Sequence, residues 1–468
     1  MGEPAHPALG EQGQGGVGDQ IGAGGARRGT RGRGVCGHGD QPTRLTTAVV
    51  QSAAGATTSV VSPASRRAAR RAMTPTKSAV VIGGGIGGLT AAAALHQSGL
   101  RVTVLERAPS LRPIGAAISL SPNALRALDV IGLGEEIRDL AAWQGDGGLR
   151  TPGGRWLSRS SAEAAAARFG GPLVLLHRST LIERLAALLE PDAVRTAADA
   201  TIADPGDRDR PAIVRTPGGE LEADLVVAAD GIHSVVRRAL FPDHPGPVYS
   251  GFTTWRIVIP VPGAEFASHE TWGRGRIWGT HPLKDGRVYA YAAAVTPAGG
   301  HAADERAELL HRYGDWHDPI PAVLAAARPE DVLRHDVHHI AEPLPAYHRG
   351  RVALLGDAAH AMPPNLGQGG NQAIEDAVVL AHHSRDLAAY TAARLPRTTA
   401  IARQAVKVAR LNLMGNRAGI AVRDVAIAAL SKAGPALFLR GFDGIADWRP
   451  PQPPYASRRT QVGERYER

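Results

Sequence analysis

Gly83, Gly85 and Gly88 stand in the pattern G-x-G-x-x-G, with Ile86 and Gly87 completing the turn. Between a strand and a helix, such a run lets backbone approach a pyrophosphate and aims amide hydrogens and the helix dipole at it. Glu106, 18 residues beyond Gly88, ends the next apolar run. A carboxylate there is placed to hold a ribose hydroxyl and suits an unphosphorylated ribose. The chemistry is dinucleotide binding, and at this point FAD and NAD are both open.

Two aspartates follow apolar runs of their own. Asp230 opens Asp230-Gly231-Ile232-His233-Ser234-Val235-Val236-Arg237, and Asp357 sits in Gly356-Asp357-Ala358-Ala359-His360. Each is expected at the carboxyl end of a strand, where open α/β sheets bind ligands, although capping of the next helix would explain either one. The loop Pro363-Pro364-Asn365-Leu366-Gly367-Gln368-Gly369-Gly370-Asn371 then runs into a helix expected to begin near Gln372. Its glycines permit close backbone approach, and the helix N-terminus offers partial positive charge to the electron-rich edge of a reduced flavin.

The elements that must position these residues can be read from hydrophobic pattern. Residues 78–82 are a branched buried strand, 83–88 a turn, 89–97 an alanine-rich helix and 101–106 a second strand. That is a right-handed parallel βαβ unit. Residues 173–189 read as a strand end and a helix, while 223–229 and 351–355 read as buried strands. From 249 to 295 short Thr-, Val-, Trp- and Tyr-rich segments between Gly and Pro suggest an antiparallel sheet, and from 372 onward the chain is mostly helical.

The 468 residues allow about three domains, and the composition removes several function classes. One cysteine excludes a disulfide framework and favours a reducing compartment, so the cytoplasm is expected. Of the net charge of +9, nine arginines against Glu3, Glu11, Asp19 and Asp40 place +5 in residues 1–76, so no nucleic-acid partner is expected. None of the four lysines follows a glycine, which removes the P-loop. No G-x-S-x-G elbow and no HExxH motif occurs, and His335, His338 and His339 are not expected to hold a metal. Residues 1–76 lack periodicity and read as a disordered leader, with translation expected to begin at Met73. Stable membrane insertion is not expected. Residues 422–439, which mix Ala, Ile and Leu with Arg423, Asp424 and Lys432, suit at most a weak peripheral contact.

Together the three motifs resemble, in order and spacing, the fingerprints of class A flavoprotein aromatic hydroxylases, single-component FAD monooxygenases that include salicylate hydroxylase, urate hydroxylase and zeaxanthin epoxidase. Shorter segments agree: Gly115-Ala116-Ala117-Ile118-Ser119, His177-Arg178-Ser179 and Trp272-Gly273-Arg274-Gly275. The resemblance covers residues 78–450. It implies an α/β fold in which a Rossmann-like, GR2-type FAD-binding domain (77–142, 166–245 and 339–400) is interleaved with an antiparallel β-sheet substrate domain (143–165 and 246–338). C-terminal helices and a tail (401–468) follow.

By that resemblance Gly83, Gly85, Ile86, Gly87, Gly88, Glu106 and Arg107 would hold the adenosine half of bound FAD, with Ser119 and Arg178 also reaching the cofactor. Gly356 and Asp357 would serve the ribityl and pyrophosphate side, and Gly367, Gln368, Gly369, Gly370 and Asn371 would line the isoalloxazine. Asp230, Gly231, Ser234 and Arg237 would share contacts with FAD and with a visiting NADH or NADPH. The implied reaction inserts one atom of O2 into an aromatic or unsaturated small molecule through a flavin C4a-hydroperoxide, with little acid, base or nucleophile required of the protein. Candidate pocket residues are Trp255, Arg256, His281, Tyr289 and Tyr291 on the antiparallel sheet, and Pro363 beside the flavin loop. The competing readings are a related FAD reductase or oxidase, and a flavin-binding protein without turnover.

Overall fold

The structure, a computed structural model, describes residues 77–111, 117–140, 147–261, 266–283, 285–432 and 442–453. The leader, Gly115, Ala116, residues 433–439 of the candidate membrane-contact segment and the tail from 454 lie outside the described residues. Arg71–Arg468 forms one compact unit.

β1 (Ser78–Ile82), α1 (Ile86–Gln97) and β2 (Arg101–Leu105) make the expected βαβ unit, with β1 and β2 parallel. Helix α1 begins at Ile86, three residues earlier than the alanine run suggests, so Gly88 lies within its first turn. Ala91, Ala92, Ala93 and Ala94 are all buried; small side chains let the helix pack closely on both the sheet and its neighbours.

Leu225–Ala228 and β2 flank β1 in a six-stranded sheet. Val352–Leu354 follows beyond Leu225–Ala228, also parallel, and the edges are His348–Arg349 and Val194–Arg195. Register matters for the site. Ile82 pairs with Ala228, and Ala228 pairs with Leu354. The three strands therefore end together, and Gly83, Asp230 and Asp357 emerge side by side at one carboxyl edge.

The second large sheet has seven strands. β3 (Pro247–Pro260), β4 (Ser268–Trp272), β5 (Arg276–Pro282), β6 (Arg287–Val295) and β7 (Leu333–Ile340) stand in the order β7-β3-β6-β5-β4, extended by Gly147–Arg150 and Trp156–Ser160. Neighbours are antiparallel except β4 with Gly147–Arg150. Side chains alternate between two faces. Trp255, Ile257, Trp278, Val288 and Ala290 join a core with the helices Glu305–Tyr313 and Ile320–Ala326. Phe252, Ile277, Ala293, Trp272 and Tyr291 on the opposite face meet Ala409 and Leu413.

Three C-terminal helices complete the description: α2 (Gly369–His382), α3 (Leu387–Asn412) and α4 (Arg417–Lys432). Helix α2 begins three residues before the expected Gln372, so Gly369 and Gly370 form its first turn. Among the described residues no helix is long and apolar enough to cross a membrane, and no His, Cys, Asp and Glu group could hold a metal ion.

Candidate active site

The glycine turn is shaped by backbone crowding. A Cβ at Gly88 would lie 2.0 Å from the Gly83 carbonyl oxygen, and one at Gly83, where φ is +109°, would lie 2.3 Å from that of Ala229. Gly85 differs: nothing stands within 4 Å of its missing Cβ. Two glycines thus make the turn and the third leaves open space above it, which is where a pyrophosphate has to approach. Glu106 accepts from the Gly84 amide at 2.6 Å and from the Ala108 amide at 2.8 Å, so it braces the turn while retaining lone pairs for a hydroxyl. Arg107 is exposed beside it.

Asp230 behaves partly as a cap. Its Oδ2 accepts from the Val236 amide at 3.2 Å, while its buried Oδ1 has no partner among the described residues. Gly231, with φ +79°, turns the chain after it. Ser234 caps the helix Val235–Leu240 by accepting from the Arg237 amide at 2.8 Å. Arg237 is buried and donates to the carbonyls of Ala358 (3.0 Å) and Ile232 (2.7 Å), stitching the two aspartate motifs together. Burial lowers its pKa, opposed by Asp230.

The flavin-side loop is held by a hydrogen-bond network largely invisible in the sequence. Asn371 Oδ1 accepts from the Ser121 amide at 2.8 Å, and its Nδ2 donates to the carbonyls of Ser119 (2.9 Å) and Gly367 (2.6 Å). Gln368 donates to Ser121 Oγ at 3.0 Å and accepts from Asn123 at 3.2 Å. The side chains of Gln368 and Asn371 are buried in this network, so only the backbone of residues 367–371 is offered to a ligand. Pro363 is buried at the start of the loop.

Beneath the loop lies a buried charge cluster. Asp376 accepts from the Gly356 amide (3.0 Å), His360 Nε2 (2.5 Å) and Arg394 Nε (2.6 Å). Glu375 binds Arg394 (2.6 Å), Arg397 (2.8 Å) and Asn123 (2.7 Å). Burial alone would raise the Asp376 carboxyl, but His360 and Arg394 reverse this and hold it far below the usual range. In sequence Glu375 and Asp376 look like a solvated helix face; Arg394 and Arg397, one helix later, with His360, make their burial tolerable.

Arg178 begins the helix Arg178–Ala186 and is exposed. Neither it, nor Asp357, nor Arg256 has a hydrogen-bond or ion-pair partner among the described residues. Partial desolvation lowers the pKa of the otherwise exposed Arg178; Asp357 raises it and Arg256 lowers it further, so all three share one electrostatic neighbourhood.

Arg256 belongs to a row of residues that crosses the second sheet. Arg256 pairs with Tyr291, Tyr291 with Gly279, and Gly279 with Glu270. The Tyr291 hydroxyl reaches over Gly279 and donates to Glu270, which also accepts from the Trp272 indole at 2.7 Å. In the next row Tyr289 pairs with His281, whose Nδ1 is hydrogen-bonded to Ser268. The His281 ring stacks on Tyr289 (6.1 Å, 25°) and on Tyr291 (5.6 Å, 16°). These rings lie deep yet keep accessible surface, as the lining of a cleft does. Burial pushes the His281 pKa down to about 3 and raises both tyrosines, so the shelf is neutral. Trp255 stands apart from these rings: it lies on the opposite face, 2% exposed, with its indole donating to Glu305 at 2.7 Å. Glu270, Trp272 and Ser268 were missed, although the alternation 268, 270, 272 is a sufficient signal once one face is known.

The model of the family described as FAD binding domain matches residues 76–405. The chain belongs to that family. Aurachin C monooxygenase/isomerase of Stigmatella aurantiaca is 39% identical over 335 residues, spanning 70% of this chain and 84% of the relative. FAD-dependent urate hydroxylase of Klebsiella pneumoniae is 34% identical over 320 residues, spanning 65% and 81%. The solved Klebsiella pneumoniae HpxO complexed with FAD and uric acid matches with a TM-score of 0.71 at 29% identity, covering 79% of this chain and 96% of that one. This FAD binding domain protein is a flavin-dependent monooxygenase of the aromatic hydroxylase group. Its residues fit the cofactor: open space lies over Gly85, and the buried Asp230 Oδ1 has no partner among the described residues, while Arg178 and Asp357 are exposed within electrostatic reach of each other.

Proposed function

We propose that the substrate is an aromatic or heteroaromatic ring bearing an acidic oxygen, hydroxylated while it lies on the shelf of His281, Tyr289 and Tyr291 with that oxygen on Arg256. The observation carrying this reading is the Arg256 guanidinium, half-buried and without a hydrogen-bond or ion-pair partner among the described residues, at the end of the Arg256-Tyr291-Gly279-Glu270 row. A desolvated cation without a partner favours an anionic ligand, and a planar fork suits a carboxylate or paired oxygens. Relatives named for 3-amino-4-hydroxybenzoate, 3-hydroxybenzoate and urate act on compounds of this kind.

In that reading Gly83, Gly85, Gly88 and Glu106 hold the adenosine side of FAD, and Asp230, Arg178 and Asp357 its middle. The backbone of 367–371 lies along its ring, with the N-terminus of α2 stabilising negative charge there. When bound, FAD supplies the activation of O2 after reduction by NADH or NADPH. The chain's own work is to orient the substrate ring, anchor its anionic oxygen and exclude water. Tyr291 is held by Glu270 and His281 by Ser268, so both rings present fixed edges to a ligand. The cofactor is assigned to the six-stranded sheet and the substrate to the seven-stranded one, which runs on to Ile340.

The test is oxidation of NADH and NADPH by the FAD-loaded protein with hydroxybenzoates, hydroxyquinolines and urate. A compound that stimulates oxidation and yields a product heavier by one oxygen supports the reading. Peroxide matching all nicotinamide consumed, with every compound, supports an oxidase instead.

A further inference from the structure

Helix α4 carries its apolar side outward. Val422 and Val425 are 71% and 70% exposed, and Leu430 is 45% exposed. Ala418, Ala421, Ala426 and Ala429 lie exposed among them, and the exposed face has no charge between Arg417 and Lys432. The buried side holds Arg423, which is 4% exposed, lies 5.3 Å over the Trp272 ring and donates to the carbonyls of Leu411 (3.2 Å) and Asn412 (3.4 Å). Asp424, the only acid on the helix, is tied to Arg423 at 2.9 Å. An ordinary surface helix has the reverse arrangement.

Cations flank this stripe. The strand Trp156–Ser160 packs against α4 and is flanked and crossed by exposed Arg155 and Arg159. Exposed Arg274 donates to the Gly415 carbonyl at 2.8 Å, just before α4. With Arg417 and Lys432 at the helix ends, an apolar strip is rimmed by five cations.

We propose that α4 is a peripheral docking surface for an anionic lipid bilayer, lying in the headgroup region with Val422, Val425 and Leu430 inserted and the cations on lipid phosphates. Charge decides between occupants. A second copy docked by a two-fold axis would set the same cationic rim against itself, whereas acidic headgroups neutralise it. A helix in the interface needs neither the length nor the uniform apolarity of a spanning segment. The buried side of α4 bears on Trp272, whose indole holds Glu270, so the lipid face and the substrate shelf are served by the two sides of one helix.

The experiment is flotation of the full-length, FAD-loaded protein with vesicles of equimolar phosphatidylglycerol and phosphatidylcholine, and of phosphatidylcholine alone, at low and high salt. Size-exclusion chromatography with light scattering runs in parallel. The proposal expects binding to the anionic vesicles, weakened by salt and by removal of phosphatidylglycerol. The double variant Val422→Asp, Val425→Asp should bind about tenfold or more weakly with its flavin spectrum and melting temperature unchanged. Absence of flotation with anionic vesicles overturns the proposal, as does a double variant that floats like the parent. A concentration-dependent dimer that the double variant abolishes, without vesicle binding, would assign the stripe to a second copy and also overturn it.

Discussion

Tyr291 lies across Gly279 of the neighbouring strand: a Cβ at position 279 would stand 2.3 Å from the tyrosine Cζ. Only glycine lets the ring lie down and reach Glu270. Gly279→Ala should therefore lift Tyr291 from the shelf and raise KM for the aromatic substrate about tenfold, with more peroxide per NAD(P)H. FAD binding, assigned to the other sheet, should be unchanged. Steady-state kinetics with peroxide quantification checks both.

Arg256→Met keeps the stem and removes the charge. With an acidic substrate, kcat/KM should fall about a hundredfold, mostly through KM. For the neutral analogue lacking that oxygen the two proteins should differ little. An equal loss on both compounds would remove Arg256 from substrate recognition.

The glycine turn offers a paired test. Gly85→Ala places its methyl in open space, so the cofactor-free protein should melt as the parent does while FAD affinity drops sharply. Gly88→Ala drives a methyl into the Gly83 carbonyl and should lower the melting temperature with or without FAD. Thermal melts and flavin titration separate the two.

Asp376→Asn leaves Arg394 with a weakened partner in a fully buried site. Loss of stability of about 3 kcal/mol is expected, together with looser FAD through the Gly356 amide. Because the folded Asp376 pKa is depressed, its stabilisation is fully present above the unfolded carboxylate range near pH 4. It is lost only as pH falls towards its folded value.

Histidines govern the milder acid range. His269 is buried and His281 half-buried, with pKa values lowered to about 4 and about 3, chiefly by desolvation. The unfolded chain takes up protons below about pH 6.5 that the folded protein refuses, so stability should fall from there downward. At pH 5 each histidine should cost roughly 1–2 kcal/mol. Melting curves from pH 8 to pH 5 test this slope, and His269→Asn should flatten it.

The cofactor side of the fold was legible because backbone geometry forces residue identity there. Gly83 and Gly88 cannot be anything else without a clash, and Asp230 and Asp357 follow strands whose apolar pattern is plain. The substrate side was not, because alternation along β3 separates Trp255 from Arg256 without saying which faces the ligand. The helices Glu305–Tyr313 and Ile320–Ala326, packed over Trp255, take that face into a core. Asp376 and Arg394 were missed for another reason: a buried ion cluster is made by contacts between helices, and neither helix shows it alone.

The most direct test of the whole account is turnover under isotopically heavy dioxygen. The FAD-loaded protein, given NADH or NADPH and the aromatic acid that best stimulates oxidation, should yield a product carrying one heavy oxygen atom, and Arg256→Met should lose it. A product without the label, or nicotinamide oxidation that ends wholly in peroxide with every ring tested, would contradict oxygen insertion at this site.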